Sequence, residues 1–393
     1  MNILFLLKTL DMGGVEVVTT TLANCFADKG HRVAIFAFKE IDYKKSSVKE
    51  RLISQVQVFT QHSLECNADN INALRKIMRQ QQTQIVINQW GLPYFVLKTG
   101  VKAAKGMNVQ FISVYHNTPD MNGRLQSIDN QLSITNNSFK RCFLHTKRFA
   151  FKIITAQSMR WCYNHSDKYM VLSPSFVQKF IDYTGIKDSS KLLVQTNPVT
   201  IDTNGFIYND TLKQKEVIFV GRLDFYQKKV NRVIDTWALL ENRFPDWRLT
   251  IVGDGPDRIN VEQQVKNLGL KHVSFEGFQK PLKYYKRASM LILTSEFEGF
   301  PLVLAEAMSF GVVPAVYNSY AAASDIVKDG VNGLLIPYNN QGFNPKVMAN
   351  CVAKVMRTSS LLEKMAKQAV QTSKGYTIDA IYKQWITKIN EIK

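Results

Sequence analysis

Two glutamates, Glu298 and Glu306, stand with seven residues between them in the stretch 295–311, SEFEGFPLVLAEAMSFG. Paired carboxylates can work as acid and base on a glycosidic bond, or they can accept hydrogen bonds from vicinal sugar hydroxyls. The pattern predicts a strand ending at Thr294 and a tight loop at Gly299, with a helix opening at Pro301, which suits a first helical position. Eight residues of helix span about 12 Å, more than the roughly 5–9.5 Å between the carboxylates of a hydrolytic pair. Separate tasks are the better reading, one glutamate on a ribose and the other on a hexose. Taken alone, the pair also fits a helix-dipole partner followed by a surface acid. The helix start offers free N–H groups and a positive dipole end to a phosphate.

Basic groups recur at the same kind of place. In 217–234, VIFVGRLDFYQKKVNRVI, Gly221 and Arg222 follow an apolar strand, and Lys228 lies six positions beyond Arg222. Arg and Lys at the C-terminal mouth of a parallel sheet can clamp a diphosphate and neutralise it as a leaving group. A solvated basic loop would look the same in isolation. The run 251–256, IVGDGP, leads from a strand into a glycine-rich turn, and Gly277 and Phe278 follow the next strand. Phe278 fits a ring facing a nucleobase and fits a core residue equally well.

Near the start, LDMGGVE places Gly13 and Gly14 between a strand and a helix, where backbone can approach a phosphate. The spacing is not GxGxxG, so no nicotinamide cofactor is indicated. His116 closes a strand in SVYHNTP; a strand-end imidazole there is a candidate proton shuttle or hydrogen-bond partner, with a structural role as the alternative. No His/Asp cluster has metal-ligand spacing and there is no DxD, so no essential metal and no cofactor are expected. The stretch 139–161, FKRCFLHTKRFAFKIITAQSMRW, carries six Lys and Arg, no acid, and interleaved aromatics. It fits an interfacial helix on an anionic membrane. It also fits a helix packed on the sheet with its basic face in water.

These residues need a scaffold, and the chain supplies one. Apolar runs at 3–7, 32–38, 55–59, 84–88, 109–114, 168–172 and 192–195 read as buried parallel strands. Helical patterns such as 15–29 and 71–80 lie between them. The order restarts after the polar segment 197–209, with strands at 217–220, 248–252, 273–275, 290–294, 313–317 and 333–336. Helices close the series at about 343–356 and 359–373, and an amphipathic one spans about 378–392. Repeated βαβ order implies α/β layers, here two doubly wound domains whose switch-point crevices leave room for a ligand. The expected division is 1–198 and 199–375, with a closing helix in 376–393.

The chain of 393 residues, 45% hydrophobic, can bury two cores. Its formal charge of +18 favours anionic partners, but no nucleic-acid-binding motif accompanies it, so nucleic acid is not an expected partner. Five cysteines without metal or CxxC spacing fit a reducing compartment. The apolar run of MNILFLLKTL stops at Lys8, unlike a signal peptide, and no run reaches the roughly 18 residues of a membrane span. The expected setting is cytoplasmic, with at most peripheral contact with the inner face of the membrane.

The array GR…QKK, VGDGP, EGF, SEFEGFPLVLAEAMSFG and DGVNGLL resembles the C-terminal domain of retaining GT-B glycosyltransferases of family 4, the glycosyl transferases group 1. The likeness is dense over 217–337. It implies two Rossmann-like domains facing across a cleft, 1–198 being completed by the C-terminal helix in 376–393, and transfer of a sugar from a nucleotide diphosphate sugar, UDP-sugars foremost. With that activity, the basic charge and the interfacial reading of 139–161 suit an acceptor hydroxyl on a carbohydrate or lipid-linked saccharide in surface polysaccharide or glycolipid assembly. By resemblance Glu306 binds the ribose, Glu298 the transferred sugar, and Arg222 and Lys228 the diphosphate. Backbone around Gly299, Phe300 and Leu302 contacts the donor, and Gly13, Gly14 and His116 approach the reacting groups from the N-terminal half. Two departures stand out. Lys229 replaces a frequent glycine, and 321–325 replaces a glycine-rich, Glu-containing loop. A GT-B-fold sugar-nucleotide epimerase and an inactive nucleotide-sugar or polyanion-binding protein are the alternatives; the glutamate pair argues against the first, and the intact set of four charged residues against the second.

Overall fold

The computed structural model describes residues 1–39 and 48–391. Residues 40–47 of the expected first domain, and Ile392 of the expected last helix, lie outside the described residues. The chain forms two compact units, 1–200 with 378–393, and 201–377. The boundary thus falls two residues after the expected one.

The first unit has seven strands: β1 (Asn2–Leu7), β2 (Arg32–Ala37), β3 (Gln57–Thr60), β4 (Ile85–Asn88), β5 (Gln110–Tyr115), β6 (Lys168–Val171) and β7 (Leu192–Val194). They pair in parallel in the order β3-β2-β1-β4-β5-β6-β7. A parallel sheet is covered on both faces, which is why Ile3 through Leu7 are all buried and read as an unbroken apolar run. Helices α1 (Gly14–Asp28), α2 (Ala68–Gln81), α3 (Tyr94–Ala103), α4 (Gly123–Ile134), α5 (Ser138–Asn164) and α6 (Ser175–Thr184) make the crossovers. The strand order reverses between β1 and β4, so the crevice of this unit opens beyond their C-terminal ends.

The second unit repeats the plan. Its strands are β8 (Gln214–Val220), β9 (Arg248–Val252), β10 (Val273–Gly277), β11 (Ala288–Leu293), β12 (Val313–Tyr317) and β13 (Leu334–Ile336), ordered β10-β9-β8-β11-β12-β13 and all parallel. The reversal here lies between β8 and β11. The helices are α7 (Val230–Ala238), α8 (Arg258–Asn267), α9 (Leu282–Arg287), α10 (Leu302–Ser309), α11 (Ala322–Ile326), α12 (Pro345–Arg357) and α13 (Ser359–Ser373). Trp237, Leu249, Ile292 and Met348 are fully buried in one core. Each apolar side chain of that size contributes about 1.5–3 kcal/mol when taken out of water. Near the N-terminal end of the central strand β8, away from the crevice, the fully buried Glu216 takes two hydrogen bonds from Arg287, at 2.7 and 2.9 Å. Burial raises its carboxyl, but the Arg287 and Thr250 hydrogen bonds outweigh this and hold it below its ordinary value.

The last helix, α14 (Ile378–Asn390), belongs to the first unit. Its Ile381, Trp385 and Ile389 are buried. Phe26 of α1 meets Tyr382 and Trp385 edge-on, at 5.3 and 6.4 Å between ring centres. The Tyr382 hydroxyl sits 2.9 Å from His31 Nε2. Lys388 Nζ donates to the Val194 carbonyl and to Gln195 Oε1, at 2.5 and 2.7 Å. Burial pushes this ammonium down to about 8.

Candidate functional site

The richest constellation lies at the mouth of β8 and β11. After β8 the chain passes Gly221 and Arg222 and turns about Asp224, a side chain only 4% exposed. One Asp224 oxygen accepts from the backbone N–H groups of Tyr226, Gln227 and Lys228, at 3.1, 2.5 and 3.1 Å. The other accepts from Arg222 Nε at 2.9 Å. One buried carboxylate therefore shapes the loop and aims the guanidinium, which remains 61% exposed. Lys228 Nζ reaches across to Glu298 Oε1 at 2.6 Å, and both side chains are largely buried. An ammonium has three donors, so Lys228 can keep this partner and still meet a phosphate oxygen.

The glycines explain how backbone comes close here. A Cβ on Gly253 would lie 1.8 Å from the Gly221 carbonyl oxygen, and one on Gly255 would lie 2.4 Å from that of Leu223. Gly221 donates to Val252, and Gly253 donates to Gly277, at 3.0 and 2.8 Å. The ends of β8, β9 and β10 thus form a step bare of side chains. Lys229 supplies the N-cap of α7 at φ +50°, a left-handed conformation that costs a lysine about 1–2 kcal/mol. That is the physical reason a glycine suits the position. Among the described residues only Gln82 shares this non-glycine conformation.

Glu298 precedes α10 and Glu306 lies within it; both are buried, so neither is a surface acid. The helix opens at Leu302, with Pro301 as its N-cap rather than its first residue. Tyr285 donates its hydroxyl to Glu306 Oε2 at 3.2 Å. Burial, then the Glu306 charge, lifts that phenol well above its ordinary value. The Phe300 ring is buried edge-on against Tyr376 at 5.4 Å, so this residue can meet a ligand only through its backbone. Phe278 is 68% exposed and borders a cavity of about 580 Å³ with Lys280, Lys283 and Lys286, which removes the core alternative. The departure at 321–325 folds as the short α11, and just before it Tyr320 buries a hydroxyl that has no partner. Burial and the charge of Glu298 lift that phenol too. Among the described residues no three His, Cys, Asp or Glu come together closely enough to hold a metal ion.

In the first unit Gly13 caps α1 and Gly14 is its first residue. Both leave room for close approach, yet a Cβ on Gly13 would lie 2.3 Å from Glu16 Oε2. A carboxylate already covers this helix end, which suits a neutral hydroxyl better than a phosphate. His116 follows β5. Its Nε2 lies 2.6 Å from Gln89 Oε1, while its Nδ1 is buried without a partner. Burial lowers the imidazole to about 3, so it is neutral near pH 7 and its chemistry is hydrogen bonding. His116 and Gln89 line a cavity of about 240 Å³ with Trp90 and Asn122. Trp90 and Asn122 also border a larger, mostly apolar cavity of about 780 Å³.

Helix α5 answers to neither sequence reading in full. Phe139 is 90% exposed, Phe143 and Phe149 are 65% exposed, and Ile153 and Ile154 are also exposed. At 100° per residue these five share one side of the helix. The apolar stripe therefore faces out. Arg148 instead forks onto Asp129 of α4 at 2.5 and 3.2 Å, and Arg141 donates to the Leu132 and Thr135 carbonyls.

Comparison with known proteins gives the class. Residues 201–372 match the family described as glycosyl transferases group 1, and residues 12–203 match glycosyltransferase family 4. A Campylobacter jejuni enzyme is 27% identical over 404 residues, covering 100% of this chain and 99% of its own. Its name is GalNAc-alpha-(1->4)-GalNAc-alpha-(1->3)-diNAcBac-PP-undecaprenol alpha-1,4-N-acetyl-D-galactosaminyltransferase. The lipopolysaccharide 1,6-galactosyltransferase of Salmonella typhimurium is 32% identical over 183 residues, 44% of this chain and 49% of that one. The structure of Anabaena HepE in complex with UDP superposes with a TM-score of 0.75 at 18% identity, covering 100% of both chains. Two parallel Rossmann-like sheets of this order define the GT-B class of glycosyltransferases. Within that class the chain belongs to the group 1, or family 4, glycosyltransferases.

Proposed function

We propose that the protein transfers a sugar, with retention, from a UDP-sugar to a hydroxyl of a lipid-linked saccharide, without a metal, at an anionic membrane surface. The observation that carries the donor half is the Lys228–Glu298 pair at 2.6 Å, beside the exposed Arg222. A cation next to a carboxylate is what a diphosphate bonded to a polyhydroxylated ring requires. Glu298 takes the hexose, Glu306 the ribose, and Arg222 and Lys228 the diphosphate. Gly299 and Leu302 offer backbone, and Phe278 offers its ring to the base. In front-face transfer the acceptor oxygen bonds to the anomeric carbon on the side from which the diphosphate leaves. The acceptor proton passes to a leaving phosphate oxygen, while Arg222 and Lys228 take up the negative charge in place of a metal.

The acceptor class rests on the C. jejuni relative, whose name specifies an undecaprenol-linked saccharide. It rests also on α5, where an outward apolar stripe is flanked by Lys140 and Lys147. No described helix is long and apolar enough to cross a membrane, so contact with lipid would be along the surface. Thermal-shift titration with UDP, GDP and ADP tests the donor, since ligand binding raises apparent stability by mass action. UDP should give the largest shift, and no shift with any of the three at millimolar concentration would remove the assignment. Turnover should survive EDTA, and the new linkage, read by NMR, should keep the donor's anomeric configuration. Vesicles rich in anionic lipid should sediment the wild type in a salt-dependent manner, each cation adding about 1 kcal/mol. A variant with Phe139→Ser, Phe143→Ser, Lys140→Gln and Lys147→Gln should stay in the supernatant at an unchanged melting temperature.

A further inference from the structure

Around the small cavity beside His116 lie three buried hydrogen-bonding atoms without a partner. Gln89 is 2% exposed, and its Nε2 has no partner; neither has Trp90 Nε1 or His116 Nδ1, all three atoms being buried. All three residues line the same 240 Å³ space. Buried polar atoms in native proteins are nearly always satisfied, and an exception asks for a cause. Two donors and one acceptor suit a polyhydroxylated ligand, whose hydroxyls can each accept and donate.

We propose that Gln89 is a positioning residue for the transfer reaction: its side-chain oxygen fixes His116 as the tautomer protonated on Nε2, leaving Nδ1 to accept from a sugar hydroxyl. The proposal rests on the reading that His116 lies beside the reacting groups. Three observations support it. First, His116 Nε2 faces Gln89 Oε1 at 2.6 Å, and an amide oxygen only accepts, so the nitrogen that faces it is the one to carry the proton. Second, Gln89 cannot drift away. Its own N–H donates to Leu6, and Asn88 pins the next residue from both sides, its Oδ1 accepting from Trp90 N and its Nδ2 donating to the Trp90 carbonyl, each at 3.1 Å. Gly91 then passes so close to β5 that a Cβ there would sit 2.9 Å from the Val114 carbonyl oxygen. Third, a buried neutral imidazole does not change charge across the working range, so the tautomer is the one variable left for a neighbour to set.

In this arrangement no bond is made or broken by His116. The hydroxyl keeps its proton, hydrogen-bonded to Nδ1, and the Gln89 and Trp90 N–H groups are left for other oxygens of the bound ligand. The sugar carrying it is thereby oriented, and an ångström of misplacement at a reacting centre costs on the order of 100-fold.

Long-range nitrogen–proton NMR of the full chain with labelled histidine tests the idea, the His116 signal being assigned by its loss in His116→Ala. The wild type should show the Nε2–H tautomer; the Nδ1–H pattern would overturn the proposal. Gln89→Leu should release the tautomer and lower turnover about tenfold or more, with UDP affinity unchanged. Gln89→Glu offers an equivalent oxygen, so it should keep Nε2–H, retain most turnover and raise the pH at which the imidazole takes up a proton. An unaltered tautomer and full turnover in Gln89→Leu would refute the role of Gln89. Full turnover in His116→Ala, with Nε2–H intact in the wild type, would instead remove the imidazole's own role and this proposal with it.

Discussion

At the mouth of β8 and β11 the charged groups are already answered: Lys228 by Glu298, Arg222 by Asp224, and Arg232 by Glu296 at 2.8 Å. At the mouth of β4 and β5 the groups are neutral, and three of their atoms have no partner. The first site can receive a charged ligand only by exchanging or sharing partners that exist beforehand. The second has hydrogen-bonding capacity in reserve and little net charge to offer. The contrast matches a division of labour in which the second unit's site holds the anionic leaving group and the first unit's site orients hydroxyls.

The sharpest test removes one half of the buried pair. Lys228→Ala leaves Glu298 largely buried without its cation, a change that costs about 3–5 kcal/mol where a buried pair is broken. Melting temperature should fall and kcat/KM should drop by about 10²–10³-fold, the scale of one lost transition-state donor. In a double-mutant cycle with Glu298→Ala the two losses should be strongly non-additive. Simple additivity would show that the pair does not act as a unit.

His116→Ala should lower turnover by roughly 10²-fold while leaving UDP affinity intact, because the proposed diphosphate ligands all lie in the second unit. The pH dependence gives the sign. Burial depresses the folded-state value from 6.5 to about 3, so the unfolded chain takes up a proton first as pH falls. This residue should therefore weaken folding between pH 6.5 and 3, and should add no inflection to the rate profile near 6.5. An inflection at 6.5 that vanishes in His116→Ala would erase the neutral-against-charged contrast.

Donor affinity should fall less in two further variants. Glu306→Ala and Arg222→Ala each remove a charged hydrogen-bond partner, typically about 1.5–3 kcal/mol. Arg222 should sit at the lower end, since its guanidinium begins in solvent. Equal, wild-type UDP affinity in both would contradict the placement of the nucleotide. The smallest effect is on stability alone. Lys229→Gly should raise it by about 1 kcal/mol, seen as a higher denaturant midpoint, by relieving the left-handed backbone at φ +50°.

The two sites were also unequally legible in the sequence. Strands β1 and β8 announce themselves because burial on both faces demands unbroken apolar runs. Glu298, Glu306, Arg222 and Lys228 stand out because charge beside a strand end is chemically conspicuous. Asp224 escaped notice, although it organises that loop, because a carboxylate that bonds local N–H groups looks like any turn residue. Gln89 escaped as well; a neutral amide closing the run INQWG advertises no chemistry, and only the fold brings it to His116. Helix α5 shows a third kind of limit. Helical periodicity tells which residues of 139–161 share a side. It does not tell which side the neighbouring elements will cover, and here the covered side is the one that includes Arg148.

The placement of α14 bears on how the protein is made. Phe26 and β1 precede the second unit in the chain, but Trp385 and Tyr382, which close over Phe26, follow it. A ribosome adding about 5–20 residues per second needs roughly ten to thirty seconds to go from residue 200 to residue 378. For that interval the first unit waits with an aromatic patch open to solvent while the second unit is completed. The nascent chain should be most dependent on chaperones in that window. A ribosome-bound intermediate stalled after residue 377 should bind them more than one stalled with α14 fully emerged.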